Sequence, residues 1–234
     1  FFSGISTVSS TIFLSEVILW FMILNFENVK SLMDFKHNNH QLAILNRQVP
    51  EDSNLFFSEL NITPFSTSGY VSLENSLKDI SKLTEEKLPS KIRKNIFFDN
   101  WLNDMSEICK MFCLFQEKDK ISFWLGSERG CKRFHVDMVP YRCLVTYSGQ
   151  GTELLPDNAA DRNAFISGKP NENIIKDRSA IKYLNKWDVA IFRGGKHGIL
   201  HRTPESALND RSSILMRLDD STFLEQIEEI NTVN

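Results

Sequence analysis

Residues 131–156 read CKRFHVDMVPYRCLVTYSGQGTELLP, and how this stretch is read decides the fold. It opens on a His-x-Asp pair, His135 and Asp137. On a strand, side chains two apart leave the same face, so the imidazole and the carboxylate can reach one ion together. The strand-like run Tyr141–Tyr147 follows, and Gly149, Gly151 and Thr152 then predict a hairpin turn. A third ligand lies far downstream at His201. Two imidazoles and one carboxylate suit a divalent transition metal, and affinity alone does not choose which.

The surrounding half of the chain is β in texture. Ile121–Leu125, Tyr141–Tyr147, Trp187–Arg193 and Ser212–Leu218 are short runs separated by turns, which predicts a sandwich or barrel. Between them Asp157–Lys186 is long and polar, as lids and binding loops often are. It holds a short predicted helix over Ser179–Leu184, with Asp177 as its N-cap. Beyond His201, Arg211 and Ser213 share a strand face, and a guanidinium beside a hydroxyl clamps a carboxylate well. Arg217 would put a second charge on that face, which calls for an acid partner, a rim position or a bulge. His197 precedes His201 by one helical turn, but Gly198 stands where a zinc-protease helix needs Glu. His197 is therefore expected to support a ligand or to face solvent. Glu153 either reaches the site mouth or lies exposed, and Asn158, Asp161 and Arg162 read as loop residues.

The first half is helical in pattern. Phe98, Trp101, Leu102, Met105, Ile108, Cys109 and Phe112 recur at helix spacing and predict a long amphipathic helix, about Asp99–Phe115, packed on a sheet. Leu73, Leu77, Ile80 and Leu83 form a shorter stripe that Pro89 ends, and Leu42–Leu45 reads as a short strand. Thr11–Phe26 is the most apolar run. It carries Glu16 and falls short of the roughly 20 residues that span a bilayer. A buried or partner-facing helix is expected there, with a signal anchor or interfacial helix as the competing reading.

Composition bounds the function classes. A formal net charge of -3 gives no basic footprint, so nucleic-acid binding has no electrostatic support. The four cysteines, Cys109, Cys113, Cys131 and Cys143, form no Cys-x-x-Cys pair. They are expected to be reduced thiols in a cytoplasmic protein rather than a zinc knuckle.

Taken together, His135-x-Asp137, His201 and Arg211-x-Ser213 resemble the Fe(II)/2-oxoglutarate-dependent dioxygenases over roughly Lys120–Asp220. The resemblance implies a double-stranded β-helix, a jelly-roll of the cupin type. It implies Fe(II) held by His135, Asp137 and His201, and 2-oxoglutarate whose distal carboxylate rests on Arg211 and Ser213. Tyr147 or Thr146 would add a hydrogen bond to it; the two lie on opposite faces of their strand, and which face looks inward is open. The family couples oxidative decarboxylation of 2-oxoglutarate to hydroxylation of a substrate. FHVD, YRCLVTYSGQGTELLPDNAADR, WDVAIFRGG and HGILHRTP also resemble an uncharacterised bacterial family, a domain of unknown function, from near Leu42 almost to the end.

The expected architecture is α+β. An N-terminal apolar segment (1–40) precedes one domain (41–234), with a helical layer over 41–119 and a β-helix core over 120–222. The expected function is an Fe(II)/2-oxoglutarate oxygenase acting on an unidentified small molecule or peptide. Two other readings stand beside it. One is a cupin-like protein holding zinc or another divalent metal for hydrolysis or isomerisation. The other is a non-enzymatic jelly-roll that binds a small ligand or a protein, with the apolar Thr11–Phe26 helix as its docking element; a partner or membrane contact is expected at that run in any case.

Overall fold

The computed structural model describes residues 23–209 and 213–223. In chain order the elements are β1 (Ile23–Asn25), α1 (Val29–His37), β2 (Leu42–Leu45), α2 (Ser53–Leu60), β3 (Ser66–Ser72), α3 (Ser76–Glu85), α4 (Ser90–Arg93) and α5 (Ile96–Gln116). The second half adds β4 (Lys120–Gly126), β5 (Tyr141–Ser148), β6 (Glu153–Leu155), α6 (Arg162–Ile166), α7 (Asn171–Ile174), β7 (Lys182–Tyr183), β8 (Val189–Arg193), β9 (Leu200–Arg202), α8 (Glu205–Asn209) and β10 (Ile214–Asp220).

These strands make a mixed α+β structure with two sheets. A seven-stranded sheet runs β1-β2-β8-β5-β10-β4-β3, and a three-stranded sheet runs β7-β6-β9. Pairing is antiparallel except between β1 and β2, which are parallel and joined through α1. A parallel pair needs such a crossover, whereas antiparallel neighbours need only a turn.

Both faces of the large sheet are covered, so its strands carry two apolar stripes rather than one. Ala43, Cys143, Val145, Tyr147, Val189, Ile191, Met216, Leu218, Ile121 and Phe123 join the core under the helices. Leu42, Ile44, Leu144, Ala190, Phe192 and Leu215 alternate with them and meet Leu154 of the small sheet in a second core. The period of two explains how one strand serves both layers.

α5 lies along the helical layer. Asn95 caps it by accepting from the Phe97 N–H, and Asp99 sits in the first turn, where a negative charge suits the helix dipole. Its predicted stripe is buried, from Phe98 through Trp101, Met105 and Ile108 to Phe112, and Phe97 and Phe115 extend it at either end. Glu117 ends it in the left-handed region (φ 56), and the Lys118 N–H donates back to the Cys113 carbonyl. The helix therefore starts three residues earlier than the hydrophobic pattern alone suggests, because the cap sets its start.

Residues 11–22 of the apolar N-terminal run lie outside the described residues. Its described end is strand, not helix: Ile23–Asn25 is β1, and Phe26 is buried in the main core. Leu32 and Phe35 of α1 join that core too. No helix among the described residues is long and apolar enough to cross a membrane.

Two local expectations change. Gly149, Gly151 and Thr152 do not close a hairpin, because β5 belongs to the large sheet and β6 to the small one. The turn hands the chain between layers: Gly149 takes φ 79, and a Cβ on Gly151 would sit 2.0 Å from the Leu184 carbonyl. The helix expected over Ser179–Leu184 is a 3-10 turn at Arg178–Ala180 followed by β7. Asp177 caps that turn, accepting from the Ser179 N–H.

Candidate metal centre

The two sheets converge at His135, Asp137 and His201, each of which offers a ligand atom within 4.8 Å of the other two. His135 and His201 are 66 positions apart but form an antiparallel bridge, each N–H donating to the other's carbonyl at 3.0 Å. Opposed residues of such a pair project to the same side, and the two rings lie 4.4 Å apart between centroids. Phe134 and Leu200, one residue before each, turn to the other side and bury among Leu155, Ala159 and Ile174. That apolar anchoring fixes which way the imidazoles face.

The tautomers follow from the backbone. His135 Nδ1 lies 3.1 Å from the Arg133 carbonyl oxygen, and His201 Nδ1 lies 3.1 Å from that of Ile199. A carbonyl oxygen can only accept, so each Nδ1 carries its proton and each Nε2 keeps a lone pair. This is how a protein presents histidine to a metal. His201 Nε2 stands 3.4 Å from Asp137 Oδ2, and that oxygen is buried with no hydrogen-bond partner. An orphaned buried carboxylate oxygen beside two neutral imidazole nitrogens is a set of acceptors with nothing to accept from. A divalent cation satisfies all three. Adjacent ligands at bond lengths of about 2.1 Å stand roughly 3 Å apart, so small side-chain movements suffice.

The electrostatics favour that fit at His201 and work against it at His135. Burial lowers the His201 pKa to about 4, against the pull of Asp137, so its ring is neutral at neutral pH. Burial also acts to lower His135, but the Cys131 thiol, the Arg133 carbonyl and Asp137 outweigh it and the net direction is upward. The other oxygen of Asp137, Oδ1, is held by Arg142 Nη1. Arg142 reaches Asp219 as well, Nε to Oδ1 at 2.6 Å, and Arg217 Nε lies 3.1 Å from Asp219 Oδ2. A chain of alternating charge thus runs from Asp137 through Arg142 and Asp219 to Arg217, with the neutral His201 at its head.

Backbone packing holds the ligand loop. The Gly195 N–H donates to the Asp137 carbonyl at 2.7 Å, and Gly194 N–H to that of Pro140 at 2.9 Å. A Cβ on Gly194 would lie 1.8 Å from the Val139 carbonyl oxygen. The Gly-Gly pair after β8 therefore lets the loop from Asp137 to Pro140 lie against the strand end. A cavity opens beside the triad, lined by His135, His201, Arg142 and Leu144, with Arg129 and Arg217 farther along. Phe192 packs its ring 4.5 Å from that of His201.

A family model described as "Protein of unknown function (DUF1826)" matches residues 27–219. The chain belongs to the DUF1826 family. The match starts before Leu42, taking in α1 and the strands from β2 onward, while β1 precedes it. Among curated proteins nothing matches the chain.

In this DUF1826 chain the other predicted residues divide. Ser213 is fully buried and accepts from Nη1 of Arg129, a cavity-lining residue, at 2.8 Å. Arg211 lies outside the described residues. Tyr147 is not at the site: it points into the helical layer, where its hydroxyl donates to Asp104 Oδ2 at 2.8 Å and its ring packs on Trp101 and Trp187. The inward face of β5 is that of Arg142 and Leu144, and Thr146 does not line the cavity either. Arg217 meets two of the conditions set for it, an acid partner in Asp219 and a bulge in β10 between Ile214 and Leu215. His197 is exposed. Glu153 is buried and paired with Arg202 at 2.9 Å. Sequence reasoning missed Arg142, Arg129 and Asp219. The available signal for Arg142 was a charge at the second position of an otherwise apolar strand, five residues beyond Asp137.

Proposed function

We propose that the protein is an Fe(II)- and 2-oxoglutarate-dependent oxygenase that hydroxylates a small molecule or peptide on a double-stranded β-helix core. The observation that carries the proposal is the convergence of two Nε2-presenting histidines, which line a cavity between two sheets, with the orphaned oxygen of the buried Asp137. Three ligands from one side leave positions open for a chelating co-substrate and dioxygen.

The strand order supports the jelly-roll. From β4 onward the chain passes back and forth between layers, staying in the small one for both β6 and β7. β4, β5, β8 and β10 lie in the large sheet, and the His135 bridge, β6, β7 and β9 lie in the small one. The central order β8-β5-β10-β4 faces β7-β6-β9 with the His135 segment beside β9.

When bound, iron and 2-oxoglutarate would supply dioxygen activation coupled to decarboxylation of the co-substrate to succinate. The chain's own part is positioning. His135, His201 and Asp137 would hold the ion, Arg142 fixes the carboxylate so that Oδ2 faces the imidazoles, and Phe192 excludes water behind His201. Arg211 and Ser213 would take the distal carboxylate of 2-oxoglutarate through charge-assisted bonds. The donor set also accepts zinc, for hydrolytic or isomerase chemistry, and the co-substrate separates the two.

Anaerobic loading with Fe(II) and 2-oxoglutarate is expected to give a weak visible charge-transfer band, absent in His201→Ala. Arg211→Ala is expected to weaken 2-oxoglutarate binding at unchanged metal affinity. A metal-loaded protein with no band, whose 2-oxoglutarate affinity ignores the metal, leaves only the generic divalent site.

A further inference from the structure

Four guanidiniums face the cavity: Arg129, Arg142, Arg202 and Arg217. Three have acids. Arg142 holds Asp137 and Asp219, Arg217 shares Asp219, and Arg202 lies against Glu153. Arg129 differs: among the described residues no carboxylate pairs with it, and its hydrogen bond goes to the neutral hydroxyl of Ser213. Burial pulls its pKa down to about 10, with the Cys131 thiol acting the other way. A guanidinium has five N–H donors and no acceptor. One hydroxyl cannot satisfy it, and Arg129 is half-buried at the cavity wall, where its remaining donors can meet a bound anion. A divalent ion on the triad would add further positive charge to the same cavity.

We propose that Arg129, with Ser213 beside it, is an anchor for the carboxylate of a small acid bound in the metal cavity. Arg129 comes from the loop after β4 and Ser213 from the start of β10, so two neighbouring strands of the large sheet deliver them. The carboxylate can take a bidentate fork from the guanidinium, and the hydroxyl, once released as acceptor, can donate its own proton to the same anion. This deepens the function proposed above by naming a recognition residue that the sequence pattern did not single out. Binding of the acid does not itself need the metal.

The test is calorimetric titration of metal-free protein with glutarate, a dicarboxylate without the 2-oxo group. Wild-type protein is expected to bind it, Arg129→Gln about tenfold or more weakly, and Arg129→Lys in between, since a lysine keeps charge but not the fork. Arg162→Gln, which alters an arginine already paired with Asp157, is expected to bind as wild type does. No binding by wild type, equal affinity in Arg129→Gln, or equal loss in Arg162→Gln overturns the assignment. Arg129→Lys keeps the test open should Arg129→Gln fail to fold. Co(II) absorption, measured separately, reports the triad. Glutarate binding that depends on Arg129 without Co(II) binding removes the oxygenase and leaves the anchor, and the converse removes the anchor alone.

Discussion

Replacing Arg142 by Met isolates the role of the charge chain. Arg142 is 13% exposed at its side chain, Asp137 is fully buried and Asp219 is 2% exposed. In Arg142→Met, Asp219 retains Arg217 at 3.1 Å, but Asp137 is left with a neutral imidazole alone. Breaking a buried pair from one side costs about 3–5 kcal/mol, because the charge left behind stays desolvated. For a chain of this size each kcal/mol moves Tm by about 2–4 °C, so the metal-free variant should melt roughly 6–20 °C lower. A divalent ion on Asp137 supplies the missing positive charge. Saturating Co(II) should therefore stabilise Arg142→Met more than it stabilises wild type. Urea unfolding with and without Co(II) measures both differences, and Arg162→Gln, in a more exposed pair, should cost no more than about 1 kcal/mol. A loss below about 1 kcal/mol in Arg142→Met, or the same gain from Co(II) in both proteins, refutes the reasoning.

Metal-free protein should lose stability as pH falls from about 6.5 towards 4. The His201 pKa is depressed to about 4 on folding, so the unfolded chain binds the extra proton across that window, at up to about 3 kcal/mol. His135 is shifted upward, so its contribution is complete below about 6.5 and is lost as pH rises through its raised pKa; urea titrations across pH should show stability falling on both sides of about 6.5. Tyr147→Phe removes the hydroxyl bonded to Asp104 and should cost about 1.5–3 kcal/mol in chemical denaturation, while leaving metal and 2-oxoglutarate affinities at wild-type values. Gly194→Ala pushes a methyl group onto the Val139 carbonyl and should weaken Co(II) binding about tenfold or more, read from the cobalt absorption, through displacement of the Asp137 loop.

The parts legible in the sequence were those written in local periodicity. The α5 stripe, the strands β4, β5, β8 and β10, and the His-x-Asp pair all depend on spacings of two or of three to four. What spacing cannot give is which side of a strand looks inward when both sides are covered. On β5 that choice separates Tyr147, which belongs to the helical core, from Arg142, which belongs to the site. The face of Cys143, Val145 and Tyr147 is uniformly apolar and suits packing under α5, whereas a buried guanidinium is tolerable only where carboxylates await it. Asp219 and Arg129 were hidden for a related reason. Their partners sit on neighbouring strands, Arg142 for one and Ser213 for the other, and cross-strand register is absent from a one-dimensional pattern. The Gly149–Thr152 turn misled because a tight turn looks alike whether it closes one sheet or links two.

The reciprocal backbone bonds between His135 and His201 have a bearing on how long the protein survives in the cell. An ion gripped by both rings would rivet together segments 66 positions apart, at the seam where the two layers meet. Because only the finished structure assembles that grip, occupancy and persistence would be tied by mass action. In cells short of that ion the chain would open more often and fall sooner to proteases, so supply of the metal would govern how much of the protein there is.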